Sequence, residues 1–241
     1  MRPLRHIPHV APLAVLLVAA LSFAACGDDD DGGGAGSSPQ TTVAPPPPMT
    51  TPDTRLDGAL WPDPSTATAD ATPRAVTRSF IEDFVGMQRP ALGEFQQGDT
   101  RSGEVPVYQR GEDGSVDEDR VIAIVALRQL DGARWFVIAA NSDDVEIDEP
   151  EALASIRTPV TVSGKGAGFE GNIVLRVHAA FDRKPLAEEP VTAGSMQPEP
   201  FSAQLSFERP ASTTGAIVAR SGGGLAGATP FAAIPVRLDA G

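Results

Sequence analysis

The chain is 241 residues long, with 41% hydrophobic and 5% aromatic residues, 24 Gly, 23 Pro and a formal charge of -13. That length allows one or two folded domains, and the Gly and Pro content points to many turns beside a part with no packed core. No basic stripe is present, which excludes nucleic-acid binding. So acidic a surface is repelled by anionic headgroups, so any membrane attachment has to be covalent or inserted.

The N-terminus supplies a candidate attachment. Arg2, Arg5, His6 and His9 precede a run at 10–25 that is apolar apart from Pro12 and Ser22. The run is shorter than the roughly 20 residues of a bilayer span and has the flanks of a secretory signal peptide, expected over 1–25. It closes on Leu21-Ser22-Phe23-Ala24-Ala25-Cys26-Gly27, which resembles the lipobox of bacterial lipoproteins, with Phe23 where Leu is usual. The resemblance implies that Cys26 is acylated on sulfur and becomes the mature N-terminus. Cys26 is the only cysteine, so no internal disulfide can form.

Residues 26–71 read as a disordered tether. Asp28 to Asp31, Gly32 to Gly34 and Pro45 to Pro48 extend or stiffen a chain and offer little apolar surface to offset ordering entropy. A flexible chain of about 45 residues spans on the order of 35–40 Å. Leu56, Leu60 and Trp61 are the first residues able to touch a folded part.

A small α+β domain is expected over 72–142. Thr72 can cap a helix and Pro73 suits its first position. Val76, Phe80, Phe84 and Met87 then recur at helical spacing until Gly86 and Pro90 end it, which predicts a helix over 72–88 with a core-facing stripe. Strands follow at 103–110, 120–130 and 133–141. The second is apolar on both faces and so reads as central. Asp131-Gly132 is a strong hairpin signal between the second and third.

An all-β sandwich is expected over 143–241. Its first strand, around Val145 and Ile147, carries Asp143, Asp144, Glu146, Asp148, Glu149 and Glu151. A calcium site at this junction would need six to eight converging oxygens, which alternation along one strand does not supply, so these acids read as a solvated face. Further strands are expected at 159–163, 172–180, 186–193, 200–208, 215–221 and 232–239. Ile173, Leu175 and Val177 alternate with Asn172, Arg176 and His178, and Phe201, Leu205 and Phe207 also face inward. About seven strands separated by turn residues predict an immunoglobulin-like sandwich, without the antibody-type disulfide.

Pro150, the run 155–164 (SIRTPVTVSG), Gly168-Phe169-Glu170-Gly171, the run 201–207 (FSAQLSF) and the Gly-rich loop before Pro235-Val236-Arg237-Leu238 together resemble the immunoglobulin-like domain of bacterial spore germination. The resemblance covers about 147–239, with Thr158 where the family carries Ser. It implies a non-catalytic module of exported, often lipid-anchored proteins. The companion germination domain of that family has no counterpart in this sequence, so a role in germination is not implied.

The chemistry-bearing residues are few. His178 is the only histidine past the N-terminal segment, and it reads as a surface residue beside Arg176. A Ser-His-Asp hydrolase would need that imidazole beside a nucleophile, and no G-x-S-x-G elbow provides one. A zinc site lacks ligands. Glu170 reads either as a ligand or partner contact or as a carboxylate bonded to the backbone of its own turn, with Phe169 as a core plug. Gly222-Gly223-Gly224 precedes no helix and reads as a hairpin tip rather than a phosphate loop.

These observations predict a non-enzymatic, lipid-anchored envelope protein without cofactor or metal. It would meet the membrane through Cys26 on the extracytoplasmic face and present an interaction module to an envelope protein or wall polymer. Two alternatives stand beside it. A carbohydrate-binding domain or carbohydrate-active wall enzyme would show an exposed aromatic platform. Small apolar ligand binding would show a cavity between the helix and its sheet.

Overall fold

The structure, a computed structural model, describes residues 56–111, 113–208, 210–222 and 229–239. The expected signal peptide, Cys26 and the Asp, Gly and Pro runs lie outside these residues, as do Gly223 and Gly224.

Helix α1 spans Pro73–Ser79 and continues as a π-helical turn over Phe80–Val85. The Thr72 hydroxyl accepts from the Ala75 N–H at 3.2 Å, Pro73 takes the first position, and Gly86 ends the helix with φ 79°. Phe80, Ile81, Phe84 and Val85 are all buried. An i→i+5 turn draws residues four and five apart toward one side.

The strands are β1 (Ala91–Leu92), β2 (Gln96–Gln97), β3 (Ser102–Arg110), β4 (Val116–Leu130), β5 (Arg134–Asn141), β6 (Val145–Glu149), β7 (Ser155–Ile156), β8 (Val160–Gly166), β9 (Asn172–Ala179), β10 (Pro185–Thr192), β11 (Glu199–Leu205), β12 (Thr214–Ser221) and β13 (Phe231–Leu238). The β4–β5 hairpin turns at Asp131-Gly132-Ala133, all at positive φ. A ten-stranded sheet has the order β1-β3-β4-β5-β13-β12-β9-β10, with β2 and β7 at its margins. A three-stranded sheet has the order β11-β8-β6. The expected mixed fold is therefore present: a helix on an antiparallel meander, followed by an immunoglobulin-like sandwich.

The meander and the sandwich share one sheet. β13, last in the chain, pairs with β5 through Ala233 and Ala140, and with β12 over its whole length. One face of this sheet buries Val105, Val107, Val125, Leu127, Ala216, Val218 and Phe231 together with α1. The other face, over β9, β12 and β13, buries Leu175, Val177, Ile217 and Val236 against Val162, Phe201 and Leu205 of the smaller sheet. Phe201 and Phe207 are buried, as their alternation indicates.

Residues 56–71, expected to belong to the tether, include a stretch built into the fold. The Leu60 N–H donates to Val137 O and the Val137 N–H to Trp61 O, both at 2.8 Å, so the chain lies along β5 where β13 has diverged. Trp61 Nε1 also donates to Ser79 Oγ at 2.8 Å. Leu60 and Trp61 thus add buried apolar area to a segment that composition alone leaves uncommitted.

Phe80 has no exposed surface, stacks on Phe84 at 5.4 Å and meets Phe231 at 6.5 Å. Phe80→Ala is expected to cost about 3–5 kcal/mol in urea unfolding, the range for emptying a closed aromatic site. A loss below about 1 kcal/mol would show that α1 contributes little to this core.

Candidate interaction surface

The expectation that His178 lies at the surface is corrected: its exposure is 0%. Alternation placed it opposite Leu175 and Val177, and it is opposite them, but that second face of β9 is covered by the end of α1. The imidazole lies 4.3 Å from the Phe84 ring. Its Nδ1 is 3.0 Å from Asp182 O, and since a carbonyl only accepts, Nδ1 carries the hydrogen. Nε2 is then a bare lone pair, buried without a partner.

Arg176 and Arg220 lie on the same covered face. Arg176 Nη1 donates to Val85 O at 3.0 Å while its Nε donates to Glu188 Oε2 at 2.6 Å. Arg220 Nη1 donates to Gly86 O at 3.1 Å. Two guanidinium groups thus satisfy carbonyls that the end of a helix leaves free, and they complement its negative pole. This cluster is structural chemistry. Neither imidazole nitrogen of His178 meets a hydroxyl or a carboxylate among the described residues, so it does not form a hydrolase triad.

Burial holds the His178 imidazole below the ordinary histidine range, the nearby Arg176 charge pushes the same way, and the Asp182 bond opposes both.

Phe169, Glu170 and Gly171 form a single 3-10 turn, and β9 begins only at Asn172. The expected core plug is corrected, since Phe169 is 62% exposed. The turn is tied by main-chain bonds instead: Gly171 N–H to Gly168 O at 2.9 Å and Ala193 N–H to Gly171 O at 2.7 Å. Gly171 has φ 72°, and a Cβ there would stand 2.6 Å from Ala193 O. Glu170 is exposed and also left-handed, with φ 56°. The structure brings Phe169 and Glu170 to the tip of a turn and gathers no polar constellation around them among the described residues.

The acidic junction is at β6, which forms one edge of the three-stranded sheet. Asp144 pairs with Arg120 of β4 at 2.9 Å. Among the described residues no group of three or more His, Cys, Asp or Glu is placed to hold a metal ion. Beside β6 runs a groove of about 450 Å³, floored by apolar side chains of β4 and β13. Sequence reasoning missed it. The signal was present in the two apolar faces of β4: that strand is central in its sheet, yet only one of its faces is covered, and Val121 and Ile124 stand 44% and 37% exposed on it.

The space between α1 and its sheet is filled by Phe80, Phe84, Val105, Val125 and Leu127, all at most 1% exposed, so the cavity that a small apolar ligand would require there is not available. Phe169 is the one aromatic residue among the large exposed hydrophobics of the described residues, which is no platform for sugars.

The fold defines a module of the immunoglobulin-like class, joined edge to edge with a helix-covered meander. Within it, residues 144–223 match the family described as the immunoglobulin-like domain of bacterial spore germination. No curated protein matches the chain, and no solved structure does.

The histidine gives a test with a fixed sign. Because its folded-state pKa lies below its unfolded value of about 6.5, the unfolded chain binds the extra proton first. The stabilisation is complete above about pH 6.5 and declines as pH falls toward the folded pKa. His178→Phe, which keeps the ring and removes the titration, is expected to flatten the dependence of Tm on pH between neutral and mildly acid solution. Parallel curves for the two proteins would exclude His178 as the source of acid sensitivity.

Proposed function

We propose that this protein is a lipid-anchored, extracytoplasmic interaction protein and not an enzyme. The observation that carries the reading is the match of residues 144–223 to an immunoglobulin-like family, in a fold whose one interior histidine lacks a reactive partner. Such modules bind partners through their surfaces, and functional chemistry is argued from a site rather than from a fold. The apolar run ending at Cys26, followed by an acidic and Pro-rich stretch, supports export and acylation with the folded part held away from the lipid. No helix among the described residues is long and apolar enough to cross a membrane. A single acyl chain binds a membrane only marginally, so stable anchoring takes a second signal beside the acylation of Cys26. The partner is an envelope protein or a wall polymer, and of the two the groove beside β6 favours a protein.

Metabolic labelling with an alkynyl palmitate tests the anchor. The wild-type protein is expected to take up label and fractionate with membranes, and Cys26→Ala to lose both properties. Equally low labelling of the two would remove the anchor from the proposal.

A further inference from the structure

We propose that the groove beside β6 binds an extended segment of another protein in which apolar residues alternate with Lys or Arg. The inference deepens the interaction-module reading and rests on it.

The floor comes first. Val121 and Ile124 of β4, with Ile147 of β6 and Ile234 of β13, line a groove of about 450 Å³. A β4 face carrying Val121 at 44% and Ile124 at 37% exposure keeps branched aliphatic side chains in contact with water. Burying them is favourable.

The charges select the occupant. The two charged residues that line the groove are Asp143 and Glu146, both acids, with Lys165 of β8 in register beside Glu146 on the neighbouring strand. Neither forms an ion pair among the described residues, whereas Arg120 is held by Asp144. Asp117, Glu118 and Asp119 extend the same sign along β4 just before the floor, and Asp148 and Glu149 extend it along β6; all five are exposed. Acids on an edge strand are a familiar guard against strand pairing. A guard does not account for the bare aliphatics facing those acids across the groove. A second copy of this chain would bring acid against acid, at a formal charge of -13 for each copy, which disfavours self-association. A wall polysaccharide is the poorer fit because no aromatic ring lines the groove for a sugar to stack on.

The shape suits an extended chain. In a strand, alternate side chains point to opposite sides, so one set can enter the floor while the other reaches the acidic rim. Pockets for alternate side chains beside a sheet edge are a recurring way of reading an extended peptide. Such binding requires no new secondary structure in this protein.

The test uses the full mature chain and three synthetic peptides: alternating Lys-Val, alternating Glu-Val and alternating Lys-Ser. Fluorescence anisotropy is expected to show saturable binding of Lys-Val alone, weakening with added salt. Ile124→Ser and Glu146→Lys are each expected to weaken it about tenfold, while Glu189→Lys on β10, at the other end of the large sheet, leaves it unchanged. Ile124 and Glu146 are exposed enough that both variants should keep the wild-type Tm, which is measured alongside. The proposal is overturned if Lys-Val does not bind, if Lys-Ser or Glu-Val binds as well, or if the two groove variants bind normally. Concentration-dependent dimerisation abolished by Ile124→Ser would assign the groove to a second copy. Tighter peptide binding after deletion of residues 40–50 would assign it to the chain's own upstream segment. Either result overturns the proposal. None of these failures affects palmitate labelling at Cys26, so failure of the groove and failure of the anchor remain distinguishable.

Discussion

Two guanidinium groups rise from the large sheet and close the end of α1. Arg176 from β9 and Arg220 from β12 each donate to one of the last helical carbonyls, at 3.0 and 3.1 Å. The helix begins the folded meander and both arginines belong to the sandwich, so this contact ties the start of the fold to strands about 90 and 134 residues further on. Its location matters energetically. Val85 is buried, so its carbonyl at the helix end is away from water, and an unpaired buried polar group costs about 1–3 kcal/mol. Charged donors supply those bonds, and Glu188 holds one of them at 2.6 Å. The left-handed Gly86 lets the chain leave the helix there while its own carbonyl is still reached.

The same contact explains why His178 is interior. Once the end of α1 lies over β9, the residues on that face are sealed beneath it, polar or not. Burial is affordable for Arg176 because its donors find a carbonyl and a carboxylate. It is tolerable for His178 because a neutral imidazole can give its one hydrogen to Asp182 O and leave the other nitrogen bare. A proton on that nitrogen would be a second donor with nothing to meet it, near Arg176. The cluster therefore trades acid tolerance for a closed interface, and its chemistry is that of cohesion rather than catalysis.

Much of this was legible in the sequence. Thr72, Pro73 and Gly86 mark the helix because capping and φ preference are local properties. Strands β8 to β13 follow from alternation, because a sheet with one buried face imposes period two on its side chains. What alternation cannot say is what lies over the second face. It separates Arg176 and His178 from Leu175 and Val177 correctly, yet whether that side meets water or a helix depends on contacts across roughly a hundred residues. Phe169 fails in the opposite direction: an apolar ring beside glycines reads as a plug, while the turn closes through backbone bonds and leaves the ring outside. Leu60 and Trp61 were recognisable as apolar, but only the gap where β13 leaves β5 decides that they form a bridge to Val137. The groove was half legible, since β4 shows two apolar faces and the structure covers only one.

The groove also shows why the two halves of the fold are better understood through their shared sheet than as beads on a string. Its floor is β4 from the meander, its wall is β6 from the smaller sheet, and Ile234 comes from β13, the last strand of the chain. No single hairpin holds all three. β13 brings them together because it pairs with β12 along its length and touches β5 at Ala233 before diverging. The Arg120 to Asp144 ion pair adds a direct tie between β4 and the start of β6. It is an exposed pair and contributes little to stability, on the order of 0–1 kcal/mol. Its consequence is one of placement: Arg120, on the strand that floors the groove, is held by Asp144, while Asp143 and Glu146 line the opening without an ion pair among the described residues, Lys165 of β8 standing in register beside Glu146. An open aliphatic floor on a water-exposed sheet is normally an aggregation hazard. In the proposed binding mode the surrounding negative charge disfavours a like copy and attracts a cationic chain.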